Sequence, residues 1–392
     1  MFKDISSVTL AFVYVNILGY VFHSVVSRSL GPVGYGEFMV LYSFMLTVGN
    51  ITGLLGTVSI KTIIENFNKK YEFLRSLRFL SLIAGLFFAV CAFALSHYLK
   101  NFLHVTQNYY FFIIAFAWLG MFMLAVERSF LQSTGKFPLF AFSFALELTL
   151  RFIVALVALY AGLKIGGVLS ASAIGIFIVL FLLLLINGEL LGKTAKLSIK
   201  KIFKITLYVS PSGFFIYADV FFIRRIFDEY LAGLLASVSI VGKVLVWFTI
   251  TILGVYFPKF VETKNSSALR RFIFQMFGIV ILSEIFAQIV FFIAGKPIFL
   301  MLFGRKFEPA LLYLPSYFLA ILPLLLSIVF ISIATATEKG IYLIYLHLIF
   351  YYTGFFCISF NSIYEYFKYI FLLNLFFFVV YTLFLKIKNY LA

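Results

Sequence analysis

Tyr217–Lys243, YADVFFIRRIFDEYLAGLLASVSIVGK, sets five charged residues (Asp219, Arg224, Arg225, Asp228 and Glu229) between two long apolar runs. Lys243 then stands alone, well inside the second run. At the rise of an α-helix its ammonium lies roughly 18 Å in, near the middle of a ~30 Å hydrocarbon core. A charge at that depth costs several kcal/mol unless it faces water or a partner, so it marks a candidate site. The stretch thus reads as two membrane spans, a short charged turn, and a cation where a bilayer excludes one.

The rest of the chain agrees with that reading. Of 392 residues, 64% are hydrophobic and only 12% charged, far from a soluble composition. Twelve apolar runs are long enough to cross a membrane, at approximately 5–27, 36–60, 76–98, 108–131, 138–162, 165–188, 205–227, 231–257, 271–294, 309–336, 340–361 and 365–386. The expected fold class is an all-α integral membrane protein. The net charge of +16 raises the question of nucleic acid. Its distribution answers it: with the N-terminus inside, cytoplasmic segments hold 20 Lys and Arg against nine outside. This positive-inside bias places both termini in the cytoplasm and assigns the basicity to topology, with no nucleic-acid partner. The first span has no cleavage pattern of a signal peptide, and Cys91 and Cys357 within spans read as small buried hydrophobes.

Along the chain, Gly31, Pro32, Gly34 and Gly36 predict a short outer turn, with the next helix starting near Glu37. Residues 61–78, KTIIENFNKKYEFLRSLR, read as an amphipathic helix on the inner leaflet. Span four ends with Glu127-Arg128 before a tight Gly135-Lys136 turn. Span five carries Glu147 and Arg151 one turn apart, spaced to pair on one helix face, either locked between helices or lining a wet cavity. The basic stretch around 191–204 falls near the midpoint and reads as a connector between an N-terminal six-helix bundle (1–190) and a C-terminal one (205–392). Landmarks recur at nearly constant offset: Gly34 with Gly233, Lys61 with Lys259, and Glu65 with Glu262. Such duplication predicts two pseudo-symmetric halves with a substrate path between them.

Six stretches carry a resemblance to a known family. They are SRSLGPVGYGEF (27–38), GLLGTVSIKTIIENF (53–67), ERSFLQSTGKF (127–137), the 217–243 stretch, Phe257-Pro258, and LFGRKFEPALLYL (302–314). Together, over essentially the whole chain, they resemble the oligosaccharide-lipid flippases, or Wzx-type polysaccharide exporters, of the MATE-like (MOP) superfamily. The resemblance implies two six-helix bundles forming a V. It implies passage of a polyprenyl-diphosphate-linked oligosaccharide from the inner to the outer leaflet of the cytoplasmic membrane by alternating access. It further implies a coupling ion, H+ or Na+, and work beside glycosyltransferases and a polysaccharide polymerase. The chain lacks the two extra C-terminal spans of the superfamily's lipid II flippases, which favours a surface-polysaccharide unit as cargo.

A diphosphate needs cations, and Lys243, Arg151, Lys61, Arg28 and Arg224 are the candidates for a cavity wall. Each has a plainer reading. Lys243 suits a buried pair with Asp219, Arg28 and Arg224 suit interfacial anchoring, and Lys61 suits ordinary positive-inside placement. Asp219, Glu147 and Glu284 are the acids placed to carry a coupling ion, because a desolvated carboxylate exchanges its charge for a proton more readily. Neutralising a neighbouring cation is the alternative for Glu147. A multidrug efflux pump of the same superfamily is the nearest rival function, and it calls for a more acidic or apolar cavity. A polymerase or ligase calls for a long outer loop or a catalytic cluster; no nucleophile motif, catalytic residue set or metal-ligand spacing is present.

Overall fold

The computed structural model describes the backbone of residues 2–198, 211–262, 266–337 and 339–387. Among the described residues the structure is helical with no strand. The helices are α1 (Phe2–Glu65), α2 (Lys70–Ala94), the short α3 (Ser96–Phe102), α4 (Tyr109–Ser133), α5 (Phe137–Tyr160) and α6 (Lys164–Asn187). They continue with α7 (Pro211–Ile226), α8 (Glu229–Glu262), α9 (Ser266–Phe303), α10 (Leu314–Thr337), α11 (Ile341–Cys357) and α12 (Ile363–Ile387).

Among the described residues, nine helical stretches are at least 18 residues long and apolar enough to cross a membrane, and the difference from the expected twelve has a physical origin. α1 counts once but is two spans joined at Gly31, whose φ of 66° and ψ of 178° break the helix before Pro32. Only glycine adopts that conformation without strain, and proline restarts a helix well. The expected outer turn over 28–37 is therefore a one-residue break. α7 and α11 are merely short, 16 and 17 residues, and the first part of the expected span 205–227 lies outside the described residues.

Two further expectations change. Residues 61–78 form no separate surface helix: α1 continues to Glu65, one 3-10 turn covers Phe67–Lys69, and α2 starts at Lys70. Cys357 is exposed and Cys91 partly so, against the expected burial.

By their contacts the residues fall into two compact units, Met1–Ser210 with Phe227–Gly233, and Pro211–Ile226 with Leu234–Ala392. In the first, α4 packs on α1, α2 and α6, and α5 packs on α1 and α6. α4 is the central helix, and Phe111, Ala117, Val126 and Leu131 on it are fully buried. In the second, α10 packs against α9 and α12 and fills the interior. Over an apolar 18-residue stretch within Arg305–Thr335, 78% is buried inside, against 17% over the corresponding stretch of α9. Phe292, Ile293 and Phe286 of α9 are 91%, 75% and 67% exposed, an apolar surface that water would not tolerate and lipid does.

Candidate functional site

Polar side chains inside these two units form, among others, three clusters built on ion pairs. The first is built on the α4–α5 hairpin. Its turn at Gly135-Lys136 is tight, with Gly135 at φ 73°, so positions equally far from the turn face each other. Arg128 lies seven residues before Gly135 and Ser143 seven after Lys136, and they meet: Arg128 Nε donates to Ser143 Oγ at 3.0 Å and Nη2 to its carbonyl at 2.9 Å. One turn further along α5, Glu147 Oε2 accepts from Arg128 Nη2 at 2.8 Å, and Oε1 accepts from Arg151 Nη2 at 2.5 Å. Tyr42 of α1 accepts from Arg151 Nη1 at 2.8 Å. The Phe144 ring lies under the Arg128 guanidinium, 3.7 Å from its carbon, a cation–π contact.

All three ionic side chains are buried, at 8–9% exposure. Gly175 of α6 makes this possible, since a Cβ there would come within 2.9 Å of the Glu147 carbonyl oxygen and 3.3 Å of the Arg151 nitrogen. The cluster holds two guanidiniums on one carboxylate, a formal charge of plus one. Arg151 Nε is buried with no hydrogen-bond partner.

The second place lies at the C-terminal end of α6. Arg78 of α2 grips Glu127 of α4 through Nε and Nη2, at 2.6 and 3.0 Å. Asn187, the last residue of α6, donates to the same carboxylate at 2.8 Å. Arg78 also donates to the Gly188 and Glu189 carbonyls. Beyond them Arg75 donates to the carbonyls of Leu191 and Lys193 and pairs with Glu189, while Ala195 N donates to Ser76 Oγ. Within the basic stretch 191–204, Leu191, Lys193 and Ala195 are thus bonded to α2, and 199–204 lies outside the described residues.

The third place is in the second unit. Lys243 of α8, 2% exposed, lies 3.3 Å from Asp219 Oδ1 of α7 and 2.7 Å from Ser239 Oγ. Asp219 Oδ2 accepts from Ser239 at 2.5 Å and from Tyr317 of α10 at 2.6 Å. Tyr366 of α12 donates to the Asp219 carbonyl, and the Tyr217 ring faces the ammonium at 5.2 Å. Four helices therefore converge on one aspartate.

Of the eight residues singled out in the sequence, the structure joins Glu147 with Arg151 and Asp219 with Lys243. Glu284 is buried on α9, where Gln288 donates to it at 3.2 Å and its other oxygen has no hydrogen-bond partner. Arg224 is buried at 2% exposure near the end of α7. Arg28 and Lys61 are exposed on α1. Sequence reasoning misses Arg128, Tyr42 and Ser143 of the first cluster and Arg78 and Asn187 of the second. Arg78 and Arg128 count among the cytoplasmic charges in the sequence, yet both are 9% exposed. The hairpin symmetry about Gly135-Lys136 is the signal that points to Arg128; nothing comparable links Arg78 to Glu127. Among the described residues no group of acids, histidines and cysteines is placed to hold a metal ion.

No protein-family model matches the chain, and no curated protein matches it in sequence. Solved structures do. An inward-facing multidrug resistance MATE family transporter of the MOP superfamily superposes with a TM-score of 0.75 at 12% identity, over 94% of each chain. The Vibrio cholerae MATE transporter VcmN in its bent form gives 0.64 at 14% identity, over 99% of this chain and 96% of that one. A MOP superfamily transporter from Pyrococcus furiosus, described as having a binding pocket of reverse polarity that suggests a different function, gives 0.61 at 13% identity, over 99% and 95%. The chain therefore has the multi-span helical fold of the MATE transporters of the MOP superfamily.

Proposed function

We propose that this protein is a membrane transporter that carries a lipid-linked oligosaccharide, joined to its polyprenyl chain through a diphosphate, from the inner to the outer leaflet. The observation that carries the proposal is the charge of the first cluster: Arg128 and Arg151 share Glu147 and leave one positive charge in a site about nine-tenths buried. An uncompensated buried charge is costly, and an arriving anion relieves it. Guanidinium forks match phosphate oxygens two at a time, and Arg151 Nε is a donor still without an acceptor. A pump for organic cations gains nothing from such a site. The Pyrococcus furiosus transporter of this fold, whose pocket of reverse polarity is described as suggesting a different function, is a precedent.

Arg151 is the first contact for the diphosphate in this reading, with Arg128 beside it. Arg28, Lys61 and Arg224 are further cations for the diphosphate in this reading, and the apolar tail stays in lipid. The setting is the cytoplasmic membrane with both termini inside, alongside glycosyltransferases and a polymerase. For coupling to H+ or Na+, Glu284 is the acid with an oxygen still open, whereas Glu147 and Asp219 are each held by a cation.

The test is transleaflet movement of a fluorescent polyprenyl-diphosphate oligosaccharide in proteoliposomes, with and without proton or sodium gradients. Movement above protein-free vesicles is expected, together with its loss in Arg151→Gln. Export of organic cations with no movement of the lipid-linked sugar overturns the proposal in favour of drug efflux.

A further inference from the structure

The third cluster has the form of a cation site. A carboxylate oxygen and a hydroxyl oxygen converge at 3.3 and 2.7 Å on one point, and an aromatic face closes it at 5.2 Å. The hydrogen-bond directions agree. The Ser239 hydroxyl donates its proton to Asp219 Oδ2, which leaves its lone pairs for the ammonium, and Tyr317 likewise gives its proton to Oδ2. Asp219 Oδ1 is thereby left to the cation. The walls are dry: Ser239 is fully buried, and Tyr317 and Asp219 are 3% and 5% exposed. Oxygen ligands of this kind, with a π face, accept an alkali ion or a primary ammonium.

We infer that Asp219, Ser239 and the Tyr217 ring form a seat for a single monovalent cation, and that the Lys243 ammonium is its permanent occupant. The second unit then carries its own cation at this point and takes none from solution. Lys243 reaches the seat from one helical turn beyond Ser239 on the same helix, so occupant and ligand stay in register wherever α8 moves. The inference does not rest on the transport proposal; it concerns which ion meets Asp219.

The experiment is thermal unfolding of the full-length protein in detergent, in chloride salts of choline, sodium, potassium and n-propylammonium at equal ionic strength. n-Propylammonium is the part of lysine that Lys243→Ala removes. The wild-type midpoint is expected to show no dependence on the cation that Asp219→Asn removes. Lys243→Ala should unfold at lower temperature in choline and recover saturably with propylammonium, by about 4 °C or more. Asp219→Asn combined with Lys243→Ala should show no such response. A Lys243→Ala protein indifferent to every cation overturns the inference. So does a saturable sodium or potassium response of the wild type that Asp219→Asn abolishes.

If Lys243→Ala fails to assemble in choline, extraction in propylammonium is expected to rescue it. Failure in both, with the Asp219→Asn combination assembling normally, shows that the exposed carboxylate accepts no external cation, and this also overturns the inference. The wild-type comparison decides on its own if neither variant assembles.

Discussion

Arg78 on α2 and Glu127 on α4 are joined by two hydrogen bonds, 2.6 and 3.0 Å long, and Glu127 is 1% exposed. The parallel pair is the geometry that arginine's planar fork favours. Asn187 completes it, so that α2, α4 and the end of α6 meet at one carboxylate 49 and 60 residues away in sequence from its two partners.

Removing one charge from this pair strands the other. Glu127→Gln is expected to destabilise the protein by about 3–5 kcal/mol, whereas Arg78→Met combined with Glu127→Met recovers most of that loss. Thermal midpoints of the two variants in detergent check this. Equal losses in both would show that the residues contribute by packing and not by charge.

Glu147→Gln leaves two buried guanidiniums without a counter-charge. Stability is expected to fall by a similar amount, about 3–5 kcal/mol, and inorganic pyrophosphate should restore more of the midpoint in this variant than in the wild type. A variant that pyrophosphate does not stabilise argues against an anion at Arg128 and Arg151.

Arg128→Lys keeps the charge and loses the fork. A lysine ammonium cannot hold Ser143 Oγ, the Ser143 carbonyl and Glu147 in one plane while lying on Phe144. A loss of about 1–3 kcal/mol is expected, read as a lower thermal midpoint. Transport of the lipid-linked sugar should fall with it, and wild-type stability in the lysine variant would show that only charge matters.

Gly175→Ala tests the close approach of α6 to α5. The new methyl would press on the Glu147 carbonyl oxygen and the Arg151 nitrogen, which are backbone atoms and cannot rotate away. Overpacking is expected to cost about 1–3 kcal/mol. Gly53→Ala, where a Cβ meets nothing within 4 Å, is the matched control and should stay near the wild type.

Arg75→Ala releases the segment after α6 and leaves the spans intact. Its bonds to the Leu191 and Lys193 carbonyls are partly at the surface, so the global midpoint should hardly move. Hydrogen exchange at the Ala195 amide should accelerate by about fivefold for each lost bond, since each contributes about 1 kcal/mol to keeping the segment closed. Unchanged exchange would show that Ser76 and the Glu72 carbonyl hold it without Arg75.

The spans are legible because a bilayer imposes one rule on every stretch that crosses it, namely an apolar run long enough for the hydrocarbon. Composition alone therefore establishes the helical membrane class, and the twelve runs correspond to helices wherever the residues are described. Local spacing is equally informative where partners share a helix. Glu147 and Arg151, four residues apart, pair as the helix pitch requires. Charge also shows that Lys243 needs a partner, and Asp219 on the preceding run is the acid that supplies it.

What the linear chain does not show is which distant residues face one another. Arg78 reads as one more cytoplasmic basic residue until α2 and α4 pack and bury it on Glu127. Glu147 reads as half of a neutral pair until α4 brings Arg128 to its second oxygen and changes the sign of the site. Gly31 reads as part of a loop, yet it is a one-residue break, and the second helix resumes at once from Pro32. Helix formation follows from local backbone bonding and hydrophobicity. The pairing of buried charges follows from rotation and depth of one helix against another, which packing sets and no local pattern encodes.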